Sequence, residues 1–137
     1  MTYAFDADVL IYAAEQGHPL GNRVAALFSA AAPDSSVGLG SLLLLPEVLS
    51  RPTRDGNEVE LARLEGFLAR LDLHPVDLAT AKLATALAAI YRLKAADAFH
   101  LATAVNAGAD QFLTNNRRHF PDTIEEIDIV YPDQLPD

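Results

Sequence analysis

Short apolar runs alternate with longer helical stretches along this chain, and no other feature constrains its fold as strongly. The apolar runs that predict strands lie at residues 3–5, 36–39, 73–76, 111–114 and 127–130. Runs this short, bounded by turn-forming residues, are typical of strands rather than of helices. Strands that alternate with helices predict an α/β layer fold with a mostly parallel central sheet.

The stretches between these runs carry helical signals. Apolar spacing or alanine content predicts helices over residues 8–17, 20–32, 58–71, 77–91 and 95–107. Asp77 is suited to cap the alanine-rich helix, and Ser41 is suited to cap the helix that carries Glu47. Pro46 removes a backbone hydrogen bond from that helix, so its regular part is expected to begin after Ser41. Residues 51–57 are rich in Pro, Gly, Asp and Asn and are predicted to form a loop.

Length and composition narrow the class of protein. The 137 residues fit a single compact domain, and half of them are apolar, which is enough for a core. Cysteine is absent, so any metal must be held by oxygen or histidine. Neither a membrane span nor a signal peptide is predicted, and we expect a soluble cytoplasmic protein. The net charge of −9 argues against broad electrostatic binding to nucleic acid, which normally requires a basic face.

Three acidic residues lie in surroundings that are unfavourable for a lone carboxylate. Asp6 directly follows the first predicted strand, where parallel α/β sheets carry functional groups. Glu47 lies among leucines and a valine, and Asp97 opens a helix made almost entirely of Ala, Leu, Phe and Val. A buried carboxylate must be paired, protonated or bound to a cation. If the fold brings the three together, the expected partner is Mg²⁺ or Mn²⁺, which activates water for attack on a phosphodiester.

Each of these residues also has a purely structural interpretation. Asp6 and Asp8 are suited to cap a helix, with Asp8 as a cap or a supporting group rather than a metal ligand. Glu47 fits the exposed side of an amphipathic helix, and Asp97 offsets a helix dipole. His100 lies one turn after Asp97, a spacing that is typical of a packed, hydrogen-bonded seam.

Polar residues also follow the fourth predicted strand. Asn115 and Asn116 come directly after Thr114, and a small basic cluster made of Arg117, Arg118 and His119 comes next. Such a cluster is commonly a solvated turn. Because it lies beside a candidate strand-end site, contact with a substrate phosphate is the alternative interpretation.

In combination these segments resemble a PIN domain, in the family's order and over nearly the whole chain. The family pattern is a strand ending in Asp, a Ser six residues before a Glu, an Asp-Ala-x-His-x-Ala-x-Ala helix, and a strand ending in Thr followed by Asn and an Asp or Asn. The matching segments here are Tyr3-Ala4-Phe5-Asp6, Ser41 with Glu47, Asp97-Ala98-Phe99-His100-Leu101-Ala102-Thr103-Ala104, and Phe112-Leu113-Thr114-Asn115-Asn116. The stretch from Asp97 to Phe120 is the most specific part of the match.

The resemblance implies a PIN-like three-layer fold, a mostly parallel central sheet flanked by helices, and the activity of a VapC-like toxin ribonuclease. It identifies Asp6, Glu47 and Asp97 as ligands of Mg²⁺ or Mn²⁺. The fourth acidic position of the family is occupied here by Asn116, whose carbonyl oxygen can still coordinate or orient water. Asp8 stands where the family usually has Ser or Asn.

The same resemblance implies the substrate and the partners. The expected reaction is hydrolysis of RNA, either tRNA or mRNA, by a homodimer that a cognate antitoxin inhibits. In this scheme Asp8, Ser41 and Thr114 orient the catalytic groups. Arg117 or Arg118 steadies the substrate phosphate.

Two other functions remain open on the sequence alone. A PIN-like module that has lost activity and binds proteins would account for the acidic charge and for Asn116. A HAD-type phosphohydrolase would account for Asp6-Ala7-Asp8-Val9 and for Thr114 after an apolar strand. Residues 115–137, however, contain no Lys and no paired acidic motif after a strand, and the HAD family requires both.

Overall fold

The computed structural model describes residues 1–136, which form six α-helices around a five-stranded sheet. The strands are β1 Tyr3–Phe5, β2 Gly38–Ser41, β3 Leu71–His74, β4 Gln111–Leu113 and β5 Asp128–Val130. The helices are α1 Ala7–Ala14, α2 Pro19–Ala30, α3 Leu44–Asp55, α4 Glu58–Leu68, α5 Leu78–Tyr91 and α6 Ala95–Asn106, and a short 3-10 helix spans Pro132–Gln134. None of the helices in residues 1–136 is long and apolar enough to cross a membrane.

The sheet is covered by helices on both faces. Because successive residues of a strand point to opposite faces, Ala4 and Phe112 belong to one buried cluster and Phe5 and Leu113 to another. The first cluster packs against α5 and α6, and the second packs against α1, α2, α3 and α4. The predicted three-layer α/β fold is confirmed.

All neighbouring strands are parallel, in the order β3-β2-β1-β4-β5. The strand order reverses between β1 and β4, and ligands of open α/β sheets bind at such a reversal, outside the carboxyl ends of the strands. Phe5 pairs with Leu113 across these two strands. The residues that follow, Asp6 and Thr114, therefore emerge side by side.

The second and third strands lie two residues away from their predicted positions. Residues 36–39 were predicted as a strand, but the strand is Gly38–Ser41 and all four of its residues are buried. A Cβ at Gly38 would lie 2.4 Å from the carbonyl oxygen of Tyr3, so close packing against β1 requires glycine there. The predicted strand at 73–76 is Leu71–His74, and it does lie at an edge of the sheet.

The prediction that Ser41 caps the helix carrying Glu47 is wrong. Ser41 is the last residue of β2, and α3 begins at Leu44 with Leu43 as an N-cap that makes no side-chain hydrogen bond. The hydroxyl of Ser41 instead accepts a hydrogen bond from the backbone N–H of Leu43 at 3.1 Å, which holds the turn between strand and helix. Pro46 lies in the first turn of α3, where its missing N–H costs no helical hydrogen bond.

The prediction of a loop at residues 51–57 is also wrong. Helix α3 continues through this segment to Asp55, and Gly56 caps its C-terminus with a φ of 65°. Pro52 lies inside the helix, one turn after Val48 and on the same buried face. Burial of that face against α1 and α4 outweighs the local preferences of Pro and Asp. The break between α3 and α4 is therefore only Gly56 and Asn57.

Candidate functional site

Asp6 lies directly after β1, at the carboxyl edge of the sheet, and is only 6% exposed. Its carboxylate accepts hydrogen bonds from the backbone N–H of Ala7 and from the hydroxyl of Thr114, both at 2.8 Å. Its own N–H donates to the carbonyl of Leu113 at 3.0 Å, which extends the ladder between β1 and β4 by one residue. Asp6 is the N-cap of α1, so its position is set by both the strand and the helix.

The surroundings of Asp6 oppose its charged form. Burial raises the pKa of Asp6, and the nearby charge of Asp97 raises it further. The charge of His100 and the hydrogen bonds from Thr114 and Ala7 lower the pKa, but not enough to restore its ordinary value. A charged Asp6 at this position therefore favours a further positive partner.

Asp8 adds a second carboxylate within the first turn of α1. Its Oδ2 accepts a hydrogen bond from the backbone N–H of Asn115 at 3.1 Å, whereas its Oδ1 is buried without a hydrogen-bond partner in the described residues. Burial, and then the charge of Asp6, raise the pKa of Asp8 to about 7. When both carboxylates are ionised, this edge of the sheet carries an excess of negative charge.

Glu47 and His100 form a contact between the two helical layers. His100 is 2% exposed, and its Nε2 is hydrogen-bonded to the carboxylate of Glu47. Burial lowers the pKa of His100, but the hydrogen bond to Glu47 and the charges of Asp6 and Asp97 outweigh burial and raise it. Its Nδ1 is buried and has no partner within residues 1–136. His100 thus lies in the field of all three predicted ligands.

Asp97 lies in the first turn of α6 and faces the loop after β4. Its Oδ2 is 3.4 Å from Nδ1 of His119, and that same nitrogen is 3.0 Å from Nδ2 of Asn116. Asn116 in turn donates its backbone N–H to the hydroxyl of Thr114 at 3.1 Å. Thr114 therefore connects Asp6 with Asn116, and His119 connects Asn116 with Asp97.

The remaining predicted residues differ in their distance from this network. Ser41 is buried at the end of β2, and none of the predicted ligands is a hydrogen-bond partner of its hydroxyl in the described chain. Arg117 is held away from the edge of the sheet, 2.5 Å from a carboxylate oxygen of Asp133 and 4.0 Å above the ring of Tyr131. Arg118 is exposed and has no side-chain partner within the described residues. Of the two arginines, Arg118 is the one free to meet a substrate.

Two histidines of this site were not selected from the sequence. His100 was interpreted as part of a packed seam, and its partner Glu47 lies 53 residues away on another helix. His119 was placed in a basic cluster, with no reason to connect it to Asp97. The spacing of three residues between Asp97 and His100 was a usable signal, since it places both side chains on one face of a helix.

Oxygen ligands dominate the site, although no ready-made metal cage is present. Among residues 1–136, no three His, Asp or Glu side chains are already placed to hold a metal ion. The chemistry of the donors nevertheless fits a hard divalent cation, because a buried carboxylate with an unpartnered oxygen lies beside Asp6. Glu47 contacts His100 through Oε1 alone, so its second carboxylate oxygen can meet an ion while the contact with His100 is kept.

Comparisons with known proteins agree with the fold. A family model described as PIN domain matches residues 3–125. The fold is similar to that of a toxin–antitoxin complex from Klebsiella pneumoniae, at 22% identity and a TM-score of 0.73 over 96% of this chain and 98% of that chain. VapBC2 from Rickettsia felis, solved bound to a DNA fragment from its promoter, is similar at 17% identity and a TM-score of 0.73 over the same shares of the two chains. No match was found among curated proteins.

The family match covers most of the chain and includes the strand that ends at Asp6, the helix that carries Glu47, the helix that begins around Asp97 and the loop after β4. It also removes the basis for the HAD-type alternative. This chain belongs to the PIN domain family.

Proposed function

We propose that the chain is a metal-dependent endoribonuclease and the toxin component of a VapBC-like toxin–antitoxin pair. PIN domains are generally nucleases, and this supports hydrolysis of nucleic acid. The observation that carries the proposal is the buried Asp6, held at the strand-order reversal in the electrostatic field of Asp97 and His100. A structural cap needs neither this burial nor a second carboxylate.

In the proposed mechanism, Asp6, Glu47 and Asp97 hold Mg²⁺ or Mn²⁺. The ion, when bound, activates water and stabilises the charge that develops on the phosphodiester. Thr114 fixes the orientation of Asp6 through its hydroxyl, and Asp8 lies next to it as a supporting group.

The loop after β4 supplies the substrate side of the site. The backbone N–H of Asn116 donates to the hydroxyl of Thr114, and its side-chain amide contacts His119, so that amide supports the neighbouring groups or a water. Arg118 is exposed one residue before His119 and is the candidate contact for an RNA phosphate. Lys94, exposed at the N-cap of α6, lies one turn before Asp97 and offers a second positive charge.

The acidic balance of the chain is compatible with this proposal. Recognition of a structured RNA such as tRNA depends on shape and local contacts more than on a large basic face. An mRNA target would depend on the same local charges. The toxin assignment draws on the two structural neighbours, which are described as a toxin–antitoxin complex and as VapBC2, and it carries the expectations of a cognate antitoxin and a homodimer.

The competing proposal is a PIN-like module without activity that binds other proteins. The neutral Asn116 at the fourth acidic position favours it, as does the missing ready-made metal cage within residues 1–136. Both proposals share one fold and differ in whether the carboxylates take part in chemistry.

Cleavage of total cellular RNA by the purified, partner-free protein distinguishes them. We expect cleavage in Mg²⁺ or Mn²⁺ that is lost with EDTA and in Asp6→Asn and Asp97→Asn. Asp77→Asn is a matched control, because Asp77 caps α5 at an exposed position. A folded wild-type protein that cleaves no RNA with either ion would contradict the nuclease proposal and favour the module that binds proteins.

A further inference from the structure

Glu47 is held by fewer contacts than Asp6. Asp6 is buried and fixed by two hydrogen bonds, whereas the side chain of Glu47 is 36% exposed in the first turn of α3. A glutamate side chain loses much of its rotamer freedom when it is fixed in one geometry. Within residues 1–136, the only hydrogen-bond partner of its carboxylate is Nε2 of His100. The position of Glu47 at the site therefore depends on one contact.

His100 is a firm anchor for that contact. Its side chain is 1% exposed on α6, and the neighbouring Leu101, Ala102 and Ala104 are buried as well. Close packing leaves such a ring few alternative rotamers. A carboxylate only accepts hydrogen bonds, so Nε2 donates to Glu47, whether or not Nδ1 carries a proton. The partly exposed carboxylate is thus tied to a fixed side chain.

The contact joins the two helical layers. Helix α3 packs against α1 and α4, whereas α6 packs against α5 and β2. Asp97 lies three residues before His100 on α6, a spacing that places the two side chains on one face of the helix. His100 therefore fixes Glu47 relative to the helix that carries Asp97, a second predicted ligand.

Packing alone does not explain a histidine at this place. Its Nδ1 is buried without a hydrogen-bond partner in the described residues. A buried polar atom without a partner lowers the stability of the folded state, and an apolar side chain of similar size avoids that cost. Leu101 and Ala104 are apolar side chains at buried positions of the same helix. The histidine is explained by what its other nitrogen holds.

We propose that His100 is a positioning residue for Glu47, in which Nε2 holds Oε1 and leaves Oε2 to bind the ion. This inference rests on the proposed metal-dependent function. Without the imidazole, the side chain of Glu47 must be ordered at the moment when the ion binds, and the lost entropy weakens binding. Loss of a group that orients a metal ligand typically lowers metal affinity about 10- to 100-fold.

Calorimetric titration of the full chain with Mn²⁺ tests this role. His100→Leu removes the donor, and we expect it to weaken Mn²⁺ binding about tenfold or more. His100→Gln places an amide donor near the position of Nε2, and we expect its affinity to stay within about threefold of the wild type. If His100→Leu binds Mn²⁺ as tightly as the wild type, the inference is overturned.

The chain contains a matched control histidine. Nε2 of His74 is 3.2 Å from a carboxylate oxygen of Asp72, on the edge strand β3, which β2 separates from β1. His74→Leu also removes a histidine–carboxylate contact, but outside the site, and we expect it to leave Mn²⁺ affinity unchanged. A loss of affinity as large as that in His100→Leu would contradict a specific role of His100.

A double-variant cycle separates a role through Glu47 from a general effect on the core. Glu47→Ala should weaken Mn²⁺ binding without abolishing it, because Asp6 and Asp97 remain. If His100 acts only by holding Glu47, His100→Leu should have no further effect on affinity when Glu47→Ala is already present. If His100→Leu weakens binding equally in the presence and in the absence of the Glu47 side chain, the inference is wrong.

A measurement on the wild type keeps the inference testable if His100→Leu does not fold. The buried proton on Nε2 of His100 should give a slowly exchanging NMR signal that is absent in Glu47→Ala. We expect this signal to persist when Mg²⁺, which is diamagnetic, saturates the site. Disappearance of the signal at saturation would show that Glu47 has left His100, which contradicts the inference.

Asp6→Asn separates this inference from the proposed function, because it should abolish ion binding while the contact between Glu47 and His100 stays in place. If Asp6→Asn abolishes binding and His100→Leu does not change it, the metal site stands and only the role of His100 fails. If the wild type binds neither Mn²⁺ nor Mg²⁺, both fail.

Discussion

Two aspartates of this chain stand at the start of a helix near the end of a strand, and their environments are opposite. Asp77 precedes α5 and is exposed, and its carboxylate accepts hydrogen bonds from the backbone N–H and the hydroxyl of Thr80 at 2.9 Å and 2.7 Å. These hydrogen bonds lower the pKa of Asp77. Asp6 precedes α1 and is buried, and burial raises its pKa.

The comparison shows that the capping position alone does not distinguish structure from function. Both residues satisfy the rule for an N-cap, and both were readable as caps from the sequence. Only Asp6 shares its site with other carboxylates, Asp8 and Asp97. Asp77 lowers the free energy of the folded state, whereas Asp6 is maintained at a cost, and that cost is the physical argument for a functional role.

The largest expected effect is on catalysis at Asp6. Asp6→Asn should lower RNA cleavage at least about 1,000-fold, because in the proposed site Asp6 is a ligand of an ion that contributes several kcal/mol to the transition state. Its midpoint of thermal unfolding without metal should equal or exceed that of the wild type, because a buried charge is removed. Cleavage kinetics and thermal unfolding of the same preparation check both parts. Unchanged cleavage in a folded Asp6→Asn protein would remove Asp6 from the site.

The next effect is the pH dependence of stability that Asp8 contributes. In the folded protein its pKa is about 7 against an ordinary 3.8, so the folded state binds the proton more tightly than the unfolded state does. Stability therefore falls as the pH rises from 3.8 to about 7, by an amount on the order of 3 kcal/mol for this group alone.

Asp8→Asn should remove this fall. Denaturant unfolding in EDTA at several pH values gives the free energy of unfolding of wild type and of Asp8→Asn, and the difference between them measures this contribution. We expect Asp8→Asn to gain stability relative to the wild type as the pH rises over that interval. If the difference in free energy of unfolding between wild type and Asp8→Asn stays constant over this pH interval, Asp8 is as well solvated as Asp77.

A smaller effect is expected from the hydroxyl of Thr114, which is completely buried. Thr114→Val leaves Asp6 without one hydrogen bond and the N–H of Asn116 without its acceptor, at a cost of about 1–3 kcal/mol. Cleavage should fall about 10- to 100-fold because Asp6 loses its orientation. Thr85→Val is the control, since the exposed Thr85 only donates to a carbonyl of its own helix. If Thr114→Val and Thr85→Val lowered RNA cleavage equally, Thr114 would have no role in orienting Asp6.

The smallest expected effect is at the exposed cap. Asp77→Ala should lower the midpoint of thermal unfolding by a few degrees at neutral pH and leave RNA cleavage unchanged. Because the folded pKa of Asp77 is lowered, its contribution is present above the ordinary pKa and is lost as the pH falls through the folded value. The difference between Asp77→Ala and wild type should therefore vanish in acid, the reverse of the trend at Asp8.

The parts of this molecule that depend on local or topological signals were predictable from the sequence. The cap at Asp77 follows from residue type, and it was found as predicted. The proximity of Asp6 and Thr114 follows from parallel strands that end at the same edge. Both conclusions need only the order of the elements and the chemistry of their ends.

The parts that depend on tertiary packing were not predictable. Pro52 lies inside α3 because the face that it shares with Val48 is buried, and burial is not visible in the composition of residues 51–57. The contact between His119 and Asp97 depends on the path of an irregular loop. Periodicity describes strands and helices, and it carries no information about how such a loop returns to the sheet.

The central claim is that the carboxylates at the strand-order reversal hold a divalent ion, and anomalous diffraction from crystals soaked in Mn²⁺ tests it most directly. The account predicts a manganese peak between Asp6 and Asp97, and no peak there in crystals of Asp6→Asn. If the wild-type preparation cleaves RNA but its Mn²⁺-soaked crystals show no manganese peak at these carboxylates, the account is contradicted.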